Sequence, residues 1–412
     1  MRIPFRSILI ILIASHIGAT AQTLQTDALV NDYQHPGRVN VNRGVMTIHS
    51  DVGLATSVFS KDMLFENYWS KELLANQMAR LSGRNVAGIH SSSSIELQRL
   101  GKKDYSFWGL KLQHDIVLGS RYNSDLLRLA MEGNAANAQT DLTKALNFQL
   151  IQTSNLELGF EKLNRSGKPS NLYWGIGLVM GHAYSNYQIK TGKLTTNKDG
   201  EYIDATDVSF KFQQSSFGVG PSLGAATSFG YKWAQSSQNH LAFRINNVGF
   251  VRWQELETIV NAGSDYHYEG FNLTNVVARG GSVDFQDSLN SQYIITSKNA
   301  EIRPTPFSAA FNFNHSLENS NSIDLEMKYF YVPGFLPRLT AQYEQQFAGS
   351  SSSRWFVGGV FGGFGNAALI FGTDLKINDS AGIALKVSGI ESLASNNLPI
   401  YWLGDVSLFI DL

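Results

Sequence analysis

Along much of this chain apolar and polar side chains alternate one by one. From Phe307, one set of positions reads Phe307, Ala309, Phe311, Phe313, His315 and Leu317; the set between them reads Ser308, Ala310, Asn312, Asn314 and Ser316. Ile323, Leu325, Met327, Tyr329 and Tyr331 then stand opposite Asp324, Glu326 and Lys328. After a Pro333-Gly334 turn, Leu339, Ala341, Tyr343 and Phe347 alternate with Arg338, Thr340, Gln342, Glu344 and Gln346. A period of two is that of an extended strand with one apolar and one polar face.

Earlier segments repeat it. Leu110, Leu112, Ile116 and Leu118 oppose Lys111, Gln113 and Asp115; Phe148, Leu150, Leu156, Leu158 and Phe160 oppose Gln149, Thr153, Asn155, Glu157 and Glu161. Trp174, Ile176, Leu178 and Met180 face away from Tyr173, Gly175, Gly177, Val179 and Gly181, and Val208, Phe210 and Phe212 from Ser209, Lys211 and Gln213. Many of these runs approach or exceed the ~9–11 residues that a tilted strand needs to cross a bilayer. Aromatic residues near their ends (Tyr173-Trp174, Tyr329 to Tyr331, Tyr401-Trp402) suit the girdles at membrane interfaces. In water so much apolar surface would need a second sheet or covering helices. Leu412, Ile410, Leu408, Val406 and Trp402 share one face of a final strand that can pair with the first and close the sheet.

Two segments have helical spacing. Phe65, Trp69 and Leu73, with Leu74, Met78 and Leu81, form a stripe between Ser60, a potential cap, and Gly83; a shorter helix is expected from Ser124 to Met131. In a barrel they belong inside the lumen or at its rim. Asn197-Lys198-Asp199-Gly200, Gly263-Ser264-Asp265 and Gly280-Gly281-Ser282 mark loops or turns, and Glu255 to Ser297 is the least patterned stretch, a loop excursion or distorted strands. The expected fold is all-β: a transmembrane antiparallel barrel of about 14 strands, within a range of about 12 to 16, with a short helical plug or rim segment near 60–82 and 124–132.

Composition agrees. Charged residues make up 16% and aromatics 12%, with 37 glycines, 9 prolines and no cysteine. The formal net charge of −1 removes electrostatic attraction to nucleic acid as a leading reading. Mean hydropathy is only −0.14, as it is when apolar residues are spread over alternate positions. At the start, Arg2 and Arg6 precede an apolar run from Ile8 to Ile13, and Ala19-Thr20-Ala21 precedes Gln22. This is the pattern of a cleaved secretory leader at 1–21, which leaves 22–412 as one barrel domain. Without cysteine, neither a lipid anchor at the cleavage site nor a disulfide is available.

Chemistry-bearing motifs are sparse. Gly220-Pro221-Ser222-Leu223-Gly224 matches the G-x-S-x-G elbow, but no helical pattern follows it, and the elbow requires a strand-to-helix turn. The nine histidines include no pair at metal-ligand spacing; His267 sits between two tyrosines and His315 on an apolar face near a strand end. Asp324, Glu326, Lys328, Arg338 and Glu344 are expected to line a wet interior and to pair with one another. No catalytic residue, cofactor or metal site is assigned, and enzyme activity is not expected.

Several segments resemble an uncharacterised family of Bacteroidota outer-membrane barrels, the domain of unknown function DUF5723. Asn246-Asn247-Val248-Gly249-Phe250-Val251-Arg252-Trp253 resembles its aspartate-x-Gly-Phe-Ile-x-Trp motif. Asp125 to Leu129 with Gly133-Asn134 is similar to its short helix, and His35-Pro36-Gly37-Arg38 before Val45 to Ile48 to its opening segment. The family is distantly similar to FadL-type barrels for long-chain fatty acids, which carry an N-terminal plug. The resemblance implies an outer-membrane transport barrel for hydrophobic or small molecules, with Ser60 to Leu81 as hatch. Its partners would be the lipid bilayer, the barrel insertion machinery, and a hydrophobic ligand or another outer-membrane protein. Two alternatives stand beside it: a non-conducting component of a secretion or assembly complex, and a secreted soluble β-sandwich.

Overall fold

The computed structural model describes residues 44–65, 70–100, 106–132, 139–164, 170–197, 203–215, 222–236, 238–268, 294–317, 321–347, 353–365, 367–378, 380–395 and 398–411. The expected leader, the Pro36 segment, Gly133-Asn134, Lys198 to Gly200, Gly280 to Ser282 and Leu412 lie outside them. The strands are β1 (Gly44–Ser60), β2 (Asn85–Leu100), β3 (Ser106–Tyr122), β4 (Gln139–Asp141), β5 (Leu146–Asn164), β6 (Ser170–Thr196), β7 (Ile203–Ser215), β8 (Ser222–Ala234) and β9 (Asn239–Tyr268). They continue with β10 (Ile294–Pro304), β11 (Ser308–Ser316), β12 (Ser322–Phe330), β13 (Leu336–Gln346), β14 (Arg354–Gly363), β15 (Ala367–Asn378), β16 (Ala381–Ser388) and β17 (Pro399–Asp411). The helices are short: α1 (Lys61–Phe65), α2 (Lys71–Met78), α3 (Ser124–Glu132) and α4 (Ile390–Ala394).

Every pairing among the described residues is antiparallel, and the sheet closes on itself. β1 pairs with β2 on one side and with β17 on the other, from Val45 opposite Asp411 to Ala55 opposite Tyr401. The 17 strands hold 14 positions around the ring, because β4 and β5 lie in line beside β6, β7 and β8 in line between β6 and β9, and β10 and β11 in line beside β9. The expected barrel and its strand number are both present. A sandwich is two stacked sheets, and this ring is one sheet, so the soluble-sandwich reading falls.

One end of the barrel carries short connections: 101–105, 165–169, 235–238, 317–321, 347–353 and 379–380. The other carries the helices and the long connections 61–84, 123–138, 269–293 and 389–398. The wall is uneven in height, since β6 runs for 27 residues and β9 for 30, against 9 for β12 and 8 for β16. Gly263-Ser264-Asp265, expected as a turn, is inside β9; Gly263 has φ +94° there and the pairing with β7 shifts register, so the glycine serves a bulge. The poorly patterned stretch from Glu255 is likewise the upper part of β9, and its end is β10.

The outward faces are the apolar sets read from the sequence. Leu110, Leu112, Leu156, Leu158, Phe160, Trp174, Ile176, Leu178, Phe250, Phe311, Leu325, Met327, Leu339 and Leu369 are all exposed, up to 59% at Leu178. In water each would forgo about 1.5–3 kcal/mol of burial. In a bilayer the acyl chains cover them, and closure leaves the backbone groups of the wall paired. The charged and amide residues that line the lumen come from the alternate positions of the same strands.

Candidate functional site

The inward set builds a polar lumen. A cavity of about 310 Å³ is lined by Asp51, Glu96, Asp115, Glu161, Glu326 and Asp405 against Lys111, Lys232, Arg244, Lys328, Arg338 and Lys386, with His49 and His90. The acids and bases are equal in number, and their positions follow from register: Asp51 stands beside Asp405 and Ser92, and Glu326 beside Asn312 and Thr340. On the β12–β13 side, Arg338 Nη2 lies 3.4 Å from Glu326 Oε1, with each side chain only 12% exposed. Asp51 Oδ2 is 3.1 Å from His90 Nε2 and 3.8 Å from Lys328 Nζ, and His49 Nδ1 is 3.6 Å from Asp405 Oδ1. Toward the short-turn end the polar lining continues through Asp324, Gln342, Glu344, Arg354 and Asp374.

The opposite wall has its own network. Glu157 accepts hydrogen bonds from the Tyr173 hydroxyl and from Ser228 Oγ, and the Arg244 guanidinium lies 4.7 Å above the Tyr173 ring. Asn155 Nδ2 donates to Asn247 Oδ1 at 2.8 Å, and Asn247 Nδ2 to Asp115 Oδ2 at 3.4 Å. Asn247 adopts φ +60° where the β8–β9 register shifts between Thr227 and Phe229. The bulge turns the Asn246-Asn247 pair toward the lumen and Phe250 toward lipid, and it buries Trp253. A Cβ on Gly249 would fall 2.0 Å from the Ala225 carbonyl, so the motif's glycine lets two strands approach.

Above the cavity, toward the long-loop end, the lumen is crossed by side chains from two turns. The turn 331–335, between β12 and β13, folds inward and packs on β2 and β3, which are seven positions away in a ring of 14 and therefore on the far side. Phe335 meets Phe330 and Phe364 edge-on, at 5.1 and 5.0 Å between ring centres. With Val332, Val117, Ala55, Val360 and Tyr401 they form a buried apolar cap. Its seat is a pair of facing glycines, Gly88 on β2 and Gly119 on β3. A Cβ at Gly88 would lie 2.3 Å from the Phe364 ring, and one at Gly119 2.3 Å from the Pro333 carbonyl oxygen. Gly334, at φ +83°, permits the turn to reverse in that space.

Neither described helical segment enters the cavity. The stripe expected from Ser60 to Leu81 forms two helices instead of one, α1 and α2, at the rim above β1. Ser60 is buried and accepts a 3.1 Å hydrogen bond from Gln77 Nε2, while Ser70 caps α2 and the helix stops before Gly83. α3 matches its expected span and also stands at the rim. Asp324, Glu326, Lys328, Arg338 and Glu344 line the lumen as expected. Ser222 begins a strand and accepts from the Gln254 amide, so it forms no nucleophile elbow. His267 pairs with Asp204 on the tall β7–β9 sheet at 2.5 Å, and His315 Nδ1 lies 2.7 Å from Asn239 Oδ1. The sequence reading missed the cap; its trace is an aromatic residue directly after a turn glycine, Gly334-Phe335 and Gly363-Phe364.

The profile of a family of unknown function, DUF5723, matches residues 36–352. No curated protein matches the chain. Among solved structures it is similar to a TodX deltaS2S3 mutant monoaromatic hydrocarbon channel, at 9% identity and a TM-score of 0.48 over 95% of each chain. It is also similar to a FadL homologue of Pseudomonas aeruginosa, at 8% and 0.43 over 90% of this chain and 91% of that one. A toluene transporter of Ralstonia pickettii, TbuX, gives 9% and 0.41 over 90% and 89%.

Proposed function

The chain belongs to the DUF5723 family, whose description assigns no activity, and from its lumen we propose that it is an outer-membrane transport barrel for small solutes. The reading rests on one observation: a polar cavity persists inside the barrel, and what covers it among the described residues is a side-chain cap on a glycine seat. Such a cap can be displaced without breaking the wall. In this reading residues 1–21 direct export, 22–412 form the barrel, the short turns face the periplasm and the long loops the exterior, as in bacterial barrels generally.

The lining favours a solute that carries a polar group. A pure hydrocarbon in the cavity would strip water from paired charges and return no hydrogen bonds. A molecule with a polar head and a modest apolar body can satisfy both the lumen and the cap. Planar-bilayer recording tests the reading: the double variant Phe335→Ala/Phe364→Ala should conduct at least tenfold more than the parent, with little ion preference because acids and bases balance. A double variant as silent as the parent rejects the cap as gate.

One observation favours the non-conducting alternative. Charges in the lumen already pair with each other, as Arg338 does with Glu326, and in that reading they are internal packing. It predicts stable co-purification of an outer-membrane partner together with a silent Phe335→Ala/Phe364→Ala variant.

A further inference from the structure

The outward face of the barrel carries a polar group of side chains on β3, β5 and β6, beside the outward serines Ser91 and Ser93 of β2. On β3 the outward series is Trp108, Leu110, Leu112, His114, Ile116, Leu118; on β5 it is Phe160, Leu158, Leu156, Ser154, Gln152, Leu150. Ser154 Oγ lies 2.9 Å from His114 Nδ1 and 2.8 Å from His182 Nε2. The other nitrogen of His114 is 3.2 Å from the Gln152 side-chain amide, and the two imidazoles are 5.4 Å apart. His182 is placed there by a bulge: Thr153 pairs with Gly181 and Gln152 with Ala183, so His182 is the extra residue. Bulges re-aim side chains and gather near active sites.

Height matters as much as contact. On β6 the exposed apolar run starts at Leu172 and ends at Met180, and His182 follows it. At about 3.3 Å per residue and a tilt of about 40°, His182 stands roughly 25 Å above Leu172, the full height of a barrel's apolar band. The group therefore lies at the upper end of the exposed apolar run of β6, with Leu118 and Leu150 beyond it on β3 and β5, in the half of the lipid-facing wall nearer the long loops. Ionisable groups on a lipid-facing wall are costly and mark function by default. A hydroxyl, an imidazole in contact with it and an amide behind that imidazole are the nucleophile, base and orienting group of acyl transfer.

We propose that Ser154 is the nucleophile of an acyl-ester hydrolase site on the outer wall, acting on amphiphiles of the outer leaflet. Turning the Gln152 amide over presents its Oε1 to His114 Nε2–H and leaves Nδ1 as the acceptor of the Ser154 proton. As Oγ attacks the ester carbonyl carbon, His114 takes that proton, and the carbonyl oxygen gains charge that His182 Nε2–H can meet. The bond from the carbonyl carbon to the alcohol oxygen then breaks, and His114 returns the proton to that oxygen. A water molecule next gives a proton to His114 as its oxygen attacks the acyl-serine. Collapse breaks the bond from the carbonyl carbon to Oγ and releases a carboxylic acid, and His114 passes the water proton to Oγ, restoring Ser154. Ester and water become acid and alcohol, with nothing oxidised or reduced.

The test uses full-length protein refolded in detergent and checked for the heat-dependent gel shift of a folded barrel. An alkyl fluorophosphonate should label Ser154, located by peptide mass spectrometry, and p-nitrophenyl octanoate should be hydrolysed. Ser154→Ala should abolish both, and His114→Ala should slow hydrolysis about a hundredfold or more, with the gel shift retained in each. His182→Ala should slow it by about tenfold or more. The proposal is overturned if the folded parent resists the probe, or if Ser154→Ala hydrolyses the ester as fast as the parent. Channel conductance is a separate readout that Ser154→Ala should leave unchanged.

Discussion

At the scale of single residues, the cap depends on two hydrogens. Gly88 and Gly119 face each other across one β2–β3 pair, and any larger side chain would occupy the space of Phe364 or of the Pro333 carbonyl. Gly88→Leu should expel Phe364 and raise single-channel conductance, whereas Gly83→Leu, with nothing within 4 Å of its Cβ, should not. The lumen gives a stability prediction. Removing the charge of Glu326 strands the Arg338 guanidinium, and breaking such a buried pair costs about 3–5 kcal/mol. Glu326→Gln should lower the urea midpoint of the folded barrel accordingly, and Glu326→Leu/Arg338→Met should recover most of the loss. The sequence made the inward position of Glu326 and Arg338 legible, because a period of two needs no tertiary knowledge. It left Phe335 and Phe364 unread, because their positions follow turns that bend back into the barrel, where alternation carries no information about direction.

At the scale of elements, the helices take the rim, one of the two places expected of them, and a cap that the sequence did not announce covers the lumen. The stripe from Ser60 to Leu81 was a reasonable hatch by spacing, yet Met63 and Gln77 are buried at the rim, and Gln77 is tied to Ser60 at the top of β1. Replacing residues 61–82 with a short flexible linker should leave the protein closed in planar bilayers, while shortening the turn 331–335 should open it. If the linker variant conducts and the turn variant does not, the hatch belongs to the helices after all. Strand ends were less legible than strand centres. Gly263-Ser264-Asp265 has the composition of a turn, but cross-strand bonding to β7 carries the chain through it as a bulge. The broken positions were invisible for the same reason: whether β10 and β11 are one strand or two depends on which neighbours stand beside them. Pro304 and Pro306, flanking the break, are the local sign of it.

At the scale of the whole molecule, the apolar outer face and the charged inner face make opposite demands on a substitution. Ile176, in the middle of the exposed run of β6, should lose about 2–4 kcal/mol on change to Arg. This is measurable as a lowered unfolding midpoint in lipid vesicles. Asn312, which faces the open cavity, should accept a polar replacement at far smaller cost, and equal losses at the two positions would contradict the assigned faces. The number of ring positions was legible because each strand announces itself locally. Closure was legible only as an expectation, since no local pattern says that β1 and β17 are neighbours. That pairing joins Val45 to Asp411, almost the greatest sequence separation the chain offers. A topology of this kind has an extreme contact order at its seam and a correspondingly slow last step. Of the described strands β1 is made first, and one of its two edges must wait for the last. Until then it is an exposed adhesive edge, open to pairing with other chains.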